Sequence, residues 1–436
     1  MTLDPGSSQV TVQKSLRSGS IVSFAAWIGF VMVYFDSSLY IVAAPFIAPF
    51  FFPPGDYMTS VLLFLLTYPI GYLGRPVGGL IWGHYGDKLG RKTPWLISVA
   101  GMGIATILVG ALPTYSQAGV LATVLLVMLR LLQGLFLGGE NTGSSVMSVE
   151  AVPDHLRGLF GGLVRSGFAV GLLLASADLL LVGTLYPGVA LQSFGWRFMF
   201  FLGVIPLIVA LISRRVVQES PEWEAKVKAR QKVKRSPVLQ LFREHPRTVL
   251  LILLFTVGYD IVAQDSTLYI PTFLRLFTPA SVTTVAIAGI VPNLIRGFAS
   301  PIFGYISDVL KSRKALIYFA SAALAVTAYP LFAMIKTGDL SPVLVGATMV
   351  FLLYNVILAI SHVFQSELVP TNVRYSLNGI SELGTTFAAF APFVAAFVGS
   401  QLKEPVLAVT GVVTIGSIII MIAVYLLPKD RAGQPL

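Results

Sequence analysis

The chain reads as an all-α membrane protein, with twelve transmembrane helices in two pseudo-symmetric six-helix bundles. Three observations carry that reading. Apolar runs of about 20 residues, enough to cross a hydrocarbon core as helices, recur along 436 residues that are 55% hydrophobic, with a mean hydropathy of +0.81. Basic residues gather on one side of those runs. A basic loop also returns about 221 positions after its first appearance, together with the residues around it.

Composition excludes several classes. Soluble domains hold about 45–50% apolar residues with glycine included, and this chain exceeds that without glycine. In lipid the backbone must bond within its own segment or in a closed barrel. These runs are too long and too evenly apolar for barrel strands, so helices remain. The absence of cysteine excludes disulfides, thiolate chemistry and Cys-based metal sites. A net charge of +10 points in this setting to positive-inside topology, not to nucleic acid. Lys14 and Arg17 precede the first run, which therefore reads as a retained helix and not a cleaved signal.

In chain order the expected spans are 20–47, 58–81, 94–113, 119–142, 158–185, 196–213, 248–273, 281–306, 314–335, 342–364, 376–399 and 405–427. Around them lie a tail at 1–19, a first bundle at 20–213, a polar linker at 214–247, a second bundle at 248–428 and a tail at 429–436. The linker carries Glu219, Glu222 and Glu224, then a basic run from Lys226 to Arg235, which suits the surface of an anionic bilayer. Of the 30 basic residues, 22 fall on one side of the spans and only Arg197, Lys336 and Lys403 clearly on the other. Both termini are therefore expected in the cytoplasm, with the chain in the plasma membrane.

Gly83–Trp95 holds Asp87, Lys88, Arg91 and Lys92 between two apolar runs. Its partial copy, Gly304–Lys314, carries Asp308 with one extra residue. Arg75 and Arg296 each lie twelve residues before their loop aspartate, and Glu150-AVPDHL-Arg157 matches Glu367-LVPTNV-Arg374. Such order implies two halves of one design, with a site near mid-membrane between them. Asp87 can sit at a helix N-terminus in the other half, where its charge is favoured, and Arg91 can pair with Glu150. The loops then either latch one face shut or merely signal topology. Asp308, Arg157, Glu367 and Arg374 share both readings.

The loop pattern G-x-x-x-D-K-x-G-R-K resembles the signature of the major facilitator superfamily. Phe35-Asp36 with Tyr40, Arg75-Pro76-Val77-Gly78-Gly79, Arg130-Leu-Leu-Gln133-Gly134 and Glu367-Leu-Val-Pro370-Thr371-Asn-Val-Arg374-Tyr375-Ser376 are similar to motifs of its metabolite:proton symporters. Those are relatives of the proline/betaine, α-ketoglutarate, citrate and shikimate transporters. Val33 and Arg165 depart from that family's usual Glu and Gln. The resemblance implies a secondary transporter by alternating access, carrying a small organic anion or zwitterion with protons. It also implies that the second and eleventh spans meet, as do the fifth and eighth.

Charges inside spans cost about 2.5–3.5 kcal/mol on insertion scales, so they face the bundle interior and have a partner or a task. Asp36 and Asp260, near-equivalents at an offset of 224, and Asp265 are candidates for carrying protons, because desolvation favours the neutral acid; permanent ion pairs are the alternative. Arg130 is a candidate for a solute carboxylate or for a bond to Asp36. Gln133, Gln264, Asn293 and Arg296 are further solute candidates. Arg165 and Glu382 each lie eight residues past Arg157 and Arg374, which makes Arg75–Glu382 a possible gate between halves. Asp178 is expected to be solvated near the outer end of its span, and His362 to be a satisfied packing residue. No cofactor or metal is expected, since His84, His155, His245 and His362 are scattered, and no enzyme chemistry. The expected partners are a small solute, protons and the bilayer, with no nucleic acid, around a monomer. A facilitator or exporter of the same fold, or a transporter-like sensor, are the other readings.

Overall fold

The computed structural model describes residues 16–89, 92–138, 152–205, 208, 212, 243–369, 371–428 and 432. The first half runs α1 (Leu16–Ile47), α2 (Tyr57–Leu89), α3 (Lys92–Ala111), α4 (Val120–Leu137), α5 (Arg157–Leu185) and α6 (Trp196–Phe201). The second half runs α7 (Pro246–Ala263), α8 (Ile270–Phe277), α9 (Val282–Val309), α10 (Arg313–Lys336), α11 (Leu340–Glu367), α12 (Thr371–Ala388), α13 (Ala391–Leu402) and α14 (Pro405–Leu426). A π-helical turn, Gln264–Leu268, joins α7 to α8 as one span. α12 and α13 form another, broken at Ala389 and Phe390. Counted so, among the described residues the second half supplies six spans and the first half five, with α6 the described part of a sixth segment. Among the described residues ten stretches are long and apolar enough to cross a membrane, with Leu96–Ala111 in α3 a shorter apolar one.

The helices end where caps and chain breaks allow, not where hydropathy falls. α2 continues through Leu89, past the expected end at 81, because a helix leaving the bilayer need not unwind. The seventh and eleventh spans are expected as single rods and are instead interrupted. Ser281 and Ser312 cap α9 and α10, accepting from the backbone N–H groups of Thr284 and Ala315. α5 has no side-chain cap of its own. Residues 213–242, Arg91, Glu140 and Glu150 lie outside the described residues, as do the side chains of Asp87 and Arg374.

Burial is inverted relative to a soluble protein, as lipid requires. Leu80, Phe298, Val326 and Tyr425 point outward, whereas Asp36, Arg75, Arg130, Arg165, Asp265 and Arg296 are buried. α5 packs on α1 within its half and on α9 across the boundary; α2 packs on α4 and, across the boundary, on α12. α8 meets α1 at the opposite end of the bundle, where the Arg275 guanidinium carbon lies 5.3 Å from the Phe46 ring centre. The halves therefore touch at both ends. Lys314 Nζ donates to the Leu427 carbonyl at 2.7 Å, tying the start of α10 to the end of α14.

The α5–α9 crossing is tight because glycines face each other. A Cβ on Gly304 would run into the Gly158 carbonyl, and one on Gly162 would sit 3.0 Å from Pro301 Cα. Small residues permit such approach in membranes. Gly304→Val should therefore cost about 1–3 kcal/mol by overpacking and lower the thermal unfolding midpoint of the detergent-purified protein. An unchanged midpoint would mean that the two helices separate freely.

Candidate functional site

Between the halves lies a cavity with an empty volume of about 650 Å³. α2 and α5 supply Tyr72, Arg75, Arg165 and Phe168 to its wall; α1 supplies Tyr34. The second half supplies Tyr259 and Asp260 from α7, Gln264 from the π-turn, Tyr354, His362 and Gln365 from α11, and Ser381, Glu382 and Thr385 from α12. Two cations and two carboxylates thus share one chamber lined with tyrosines.

Arg75 and Glu382 bridge the halves there, Nη1 to Oε2 at 3.5 Å. The Arg75 guanidinium carbon stands 3.8 Å from the Tyr72 ring centre, and Thr386 Oγ1 donates to the Tyr72 carbonyl at 3.2 Å. These contacts pin α2 to α12. Asp260 Oδ2 accepts from Thr385 Oγ1 at 2.6 Å. Arg165 is buried, 4.9 Å from the Phe30 ring centre, and its Nη2 has no hydrogen-bond partner. A guanidinium at a cavity wall with an unused N–H can take an acceptor from whatever enters.

Asp36, Arg130 and Gln133 form a separate buried cluster that does not line this cavity. Thr106 Oγ1 donates to Asp36 Oδ1. Gln133 Nε2 reaches the same oxygen at 3.4 Å and Thr106 Oγ1 at 2.8 Å. Arg130 Nη1 donates to Gln133 Oε1 at 2.8 Å, and its guanidinium stacks 3.8 Å over Tyr40. Gln133 therefore stands between Arg130 and Asp36, and the direct bond between them, one of the two readings open from the sequence, is not made here.

At the face where α9 ends and α10 begins, Asp308 docks onto the uncapped start of α5. Its Oδ1 and Oδ2 accept from the backbone N–H groups of Gly158 and Leu159, each at 2.9 Å. A carboxylate there satisfies orphan donors and meets the positive end of the helix. Arg313 holds Asp308 at 2.7 Å and Glu367 at 3.1 Å. The cross-half contact expected of Asp87 is thus observed for its copy. Arg157, at the same helix start, pairs with Asp154.

The remaining candidates sit apart. Asn293 Nδ2 bonds its own helix at the Gly289 carbonyl, 2.7 Å. Arg296 is wholly buried between Phe168 and Phe351. Asp265, in the π-turn, is wholly buried with neither oxygen bonded. Two expectations need correction. Asp178 is 4% exposed and unbonded, not solvated, because α5 turns that side against its neighbours. His362 lines the cavity with Nδ1 unpartnered, so it is not a satisfied packing residue. Sequence reasoning also misses three residues. Arg313 was legible, since it lies 222 positions after Arg91. Thr106 and Thr385 carry no signal, because a threonine in a span commonly bonds its own helix, as Thr256 does at the Ile252 carbonyl.

Two six-helix bundles closing on a charged chamber are the architecture of a membrane transporter. The model of the major facilitator superfamily matches residues 26–364, and the chain belongs to that superfamily. Inner membrane metabolite transport protein YhjE of Escherichia coli (strain K12) is 30% identical over 88% of each chain. The shikimate transporter of the same strain is 29% identical over 87% of each. A glycine betaine/proline/ectoine/pipecolic acid transporter, OusA, of Dickeya dadantii (strain 3937) is 27% identical over 94% of this chain and 83% of its own. Among solved structures, a D-xylose-proton symporter superposes with a TM-score of 0.71 at 17% identity, covering 95% of this chain and 99% of the other, a likeness of fold alone.

The chain has no native cysteine, so single-cysteine reporters in the cavity are unambiguous. Asp308→Asn should weaken the α5 contact by about 1–2 kcal/mol and raise labelling of a cysteine at Ser381 by an impermeant maleimide added on the face bearing Asp308. Glu382→Gln should act in the same direction. Labelling in both variants at the rate of the unaltered protein would show that neither contact holds that face closed.

Proposed function

We propose that the protein carries a small carboxylate-bearing metabolite or osmolyte together with protons, by alternating access of its two bundles. The observation that carries this reading is the chamber wall, where Arg165 has a free donor close to the carboxylates Asp260 and Glu382. A guanidinium offers paired N–H donors suited to a carboxylate. An acid in a dry wall gains stability by taking a proton, and loses it when the wall opens to water. The printed names of relatives, which include transporters of shikimate and of glycine betaine and proline, fit a solute of this class.

In this reading Arg165 is the solute's anion contact and Gln264 a second polar contact at the same wall. Asp260 is the proton carrier in the cavity. Asp36 is a second carrier, reached through Gln133 and Thr106, while Arg130 holds that cluster's charge balance. Arg75–Glu382 is the inner gate, and Asp308 with Arg313 and Glu367 the outer latch. Asp87, Arg91, Glu150 and Arg374 take the corresponding roles at the other loop and its partners. The face with both chain ends is the cytoplasmic one, since 22 of 30 basic residues belong to it, and the plasma membrane is the site of action. A unit of two bundles around one cavity works as a monomer.

Purified protein in vesicles should alkalinise the outer medium when its solute is added, as a shikimate, proline and glycine betaine panel can reveal. Arg165→Ala should reduce apparent affinity about tenfold to a hundredfold, the worth of a charged hydrogen bond. Asp260→Asn should keep solute exchange yet diminish the pH change, leaving only the share carried by Asp36. Solute uptake with no pH change in the unaltered protein would favour a facilitator and sink the proton coupling.

A further inference from the structure

Among the described residues, most arginines of the bundle interior are supplied with partners by the chain. Arg75 has Glu382, Arg130 has Gln133, Arg157 has Asp154, and Arg313 has Asp308 and Glu367. Arg165 faces the cavity. Arg296 alone among the described residues is fully buried with Nε, Nη1 and Nη2 all without a hydrogen-bond partner. Its guanidinium carbon lies 4.6 Å from the Phe168 ring centre and 5.2 Å from that of Phe351. Asn355 Nδ2 bonds the Arg296 carbonyl at 3.2 Å, which leaves the charged head untouched. The carboxamide oxygens of Asn293 and Asn355 are themselves unbonded, and neither reaches the guanidinium.

Two aromatic faces are weak compensation for a cation removed from water, since a ring offers far less than a hydrogen-bonded counter-ion. A charge left in this condition calls for an acceptor that this arrangement of the helices does not contain. Phe168 decides where it comes from. Its side chain lines the cavity and stacks on Arg296, one helical turn from Arg165 on α5. One ring therefore partitions the chamber from a desolvated guanidinium, with the cavity-lining Arg165 on the near side.

We infer that Arg296 is a second carboxylate-binding residue, closed off from the cavity by the Phe168 ring. Resting on the reading of the solute as a carboxylate, it assigns the site a second station. When the Phe168 ring rotates away, a carboxylate held by Arg165 can pass to Arg296, whose planar N–H donors are all unused. α9 carries Arg296 and belongs to the second half, whereas Arg165 and Phe168 belong to the first. Transfer from one arginine to the other thus moves the anion between bundles.

The test is arginine labelling by phenylglyoxal, mapped by mass spectrometry of the purified protein, with acetate as the probe and acetamide as its uncharged counterpart. Arg296 should react slowly in the unaltered protein and about tenfold faster in Phe168→Ala. Phe168→Leu, which keeps an apolar side chain, serves if alanine loosens the bundle. Acetate should slow labelling of Arg296 in the opened variant by about threefold at a concentration twice its dissociation constant, and acetamide should not. Labelling of Arg296 that ignores Phe168, or that acetate leaves untouched while protecting Arg165, would overturn the second station and leave the carboxylate reading standing. Protection of neither arginine would overturn both.

Discussion

A bilayer interior offers no water to a charge, so each charged side chain in the spans must be solvated by the chain itself. That constraint organises this molecule. Asp36 has Thr106 and Gln133, Asp260 has Thr385, and Arg75 has Glu382 and the face of Tyr72. Apart from Tyr72, which shares α2 with Arg75, each partner sits on another helix, so solvating the charge also docks two helices. Where those helices belong to different halves, as with α2 and α12, the same bond holds the halves together. Folding and closure are then one kind of interaction used at two places.

The two cross-half contacts differ in strength, and geometry ranks them. Asp308 accepts two backbone N–H bonds at 2.9 Å and has Arg313 at 2.7 Å, all short charge-assisted contacts in a site from which water is excluded. Arg75 and Glu382 meet once, at 3.5 Å, and the Glu382 side chain retains 16% exposure toward the cavity. Water or a solute can replace part of that weaker bond. The face contact is the firmer, and the contact beside the cavity is the one an entering ligand is able to perturb. The Gly158–Gly304 approach explains why the firm contact can exist at all. Only two residues without side chains let α9 come close enough for an aspartate to reach the first turn of α5.

Much of this was legible before any coordinates. Twelve apolar runs, the repeat near 221 positions and the in-span charges mark the halves and most of the charged residues of the cavity, because each is a composition that lipid penalises. Arg75 and Glu382 come together as the family's pairing of the second and eleventh spans implies. What escaped is what hydropathy does not encode. The extension of α2 to Leu89 depends on helix hydrogen bonding outside the apolar window. The π-turn at Gln264–Leu268 inserts one residue into the backbone ladder without any proline or glycine inside it to mark the place. Thr106 and Thr385 act through single hydroxyls in a chain where threonine is ordinary. Which acid or amide lines the chamber depends on helix rotation, and a shift of one residue turns a side chain by about 100°.

The repeat places Asp36 and Asp260 at corresponding positions, yet their surroundings are not equivalent. Asp260 stands in the cavity wall with one hydroxyl donor, so water entering the chamber reaches it with no helix displaced. Asp36 is buried among Thr106, Gln133 and, through Gln133, Arg130, and it does not line this cavity. Thr106 and Gln133 hold only its Oδ1, while Oδ2 is buried without a partner, so a proton has to pass the packing of these helices to reach it. Exchange at Asp36 is thereby tied to a rearrangement of α1, α3 and α4, whereas exchange at Asp260 is tied only to wetting of the chamber. If both acids carry protons, as proposed, the first half senses its own helix packing and the second half senses what occupies the cavity, which is the division of labour that coupling a solute to an ion requires.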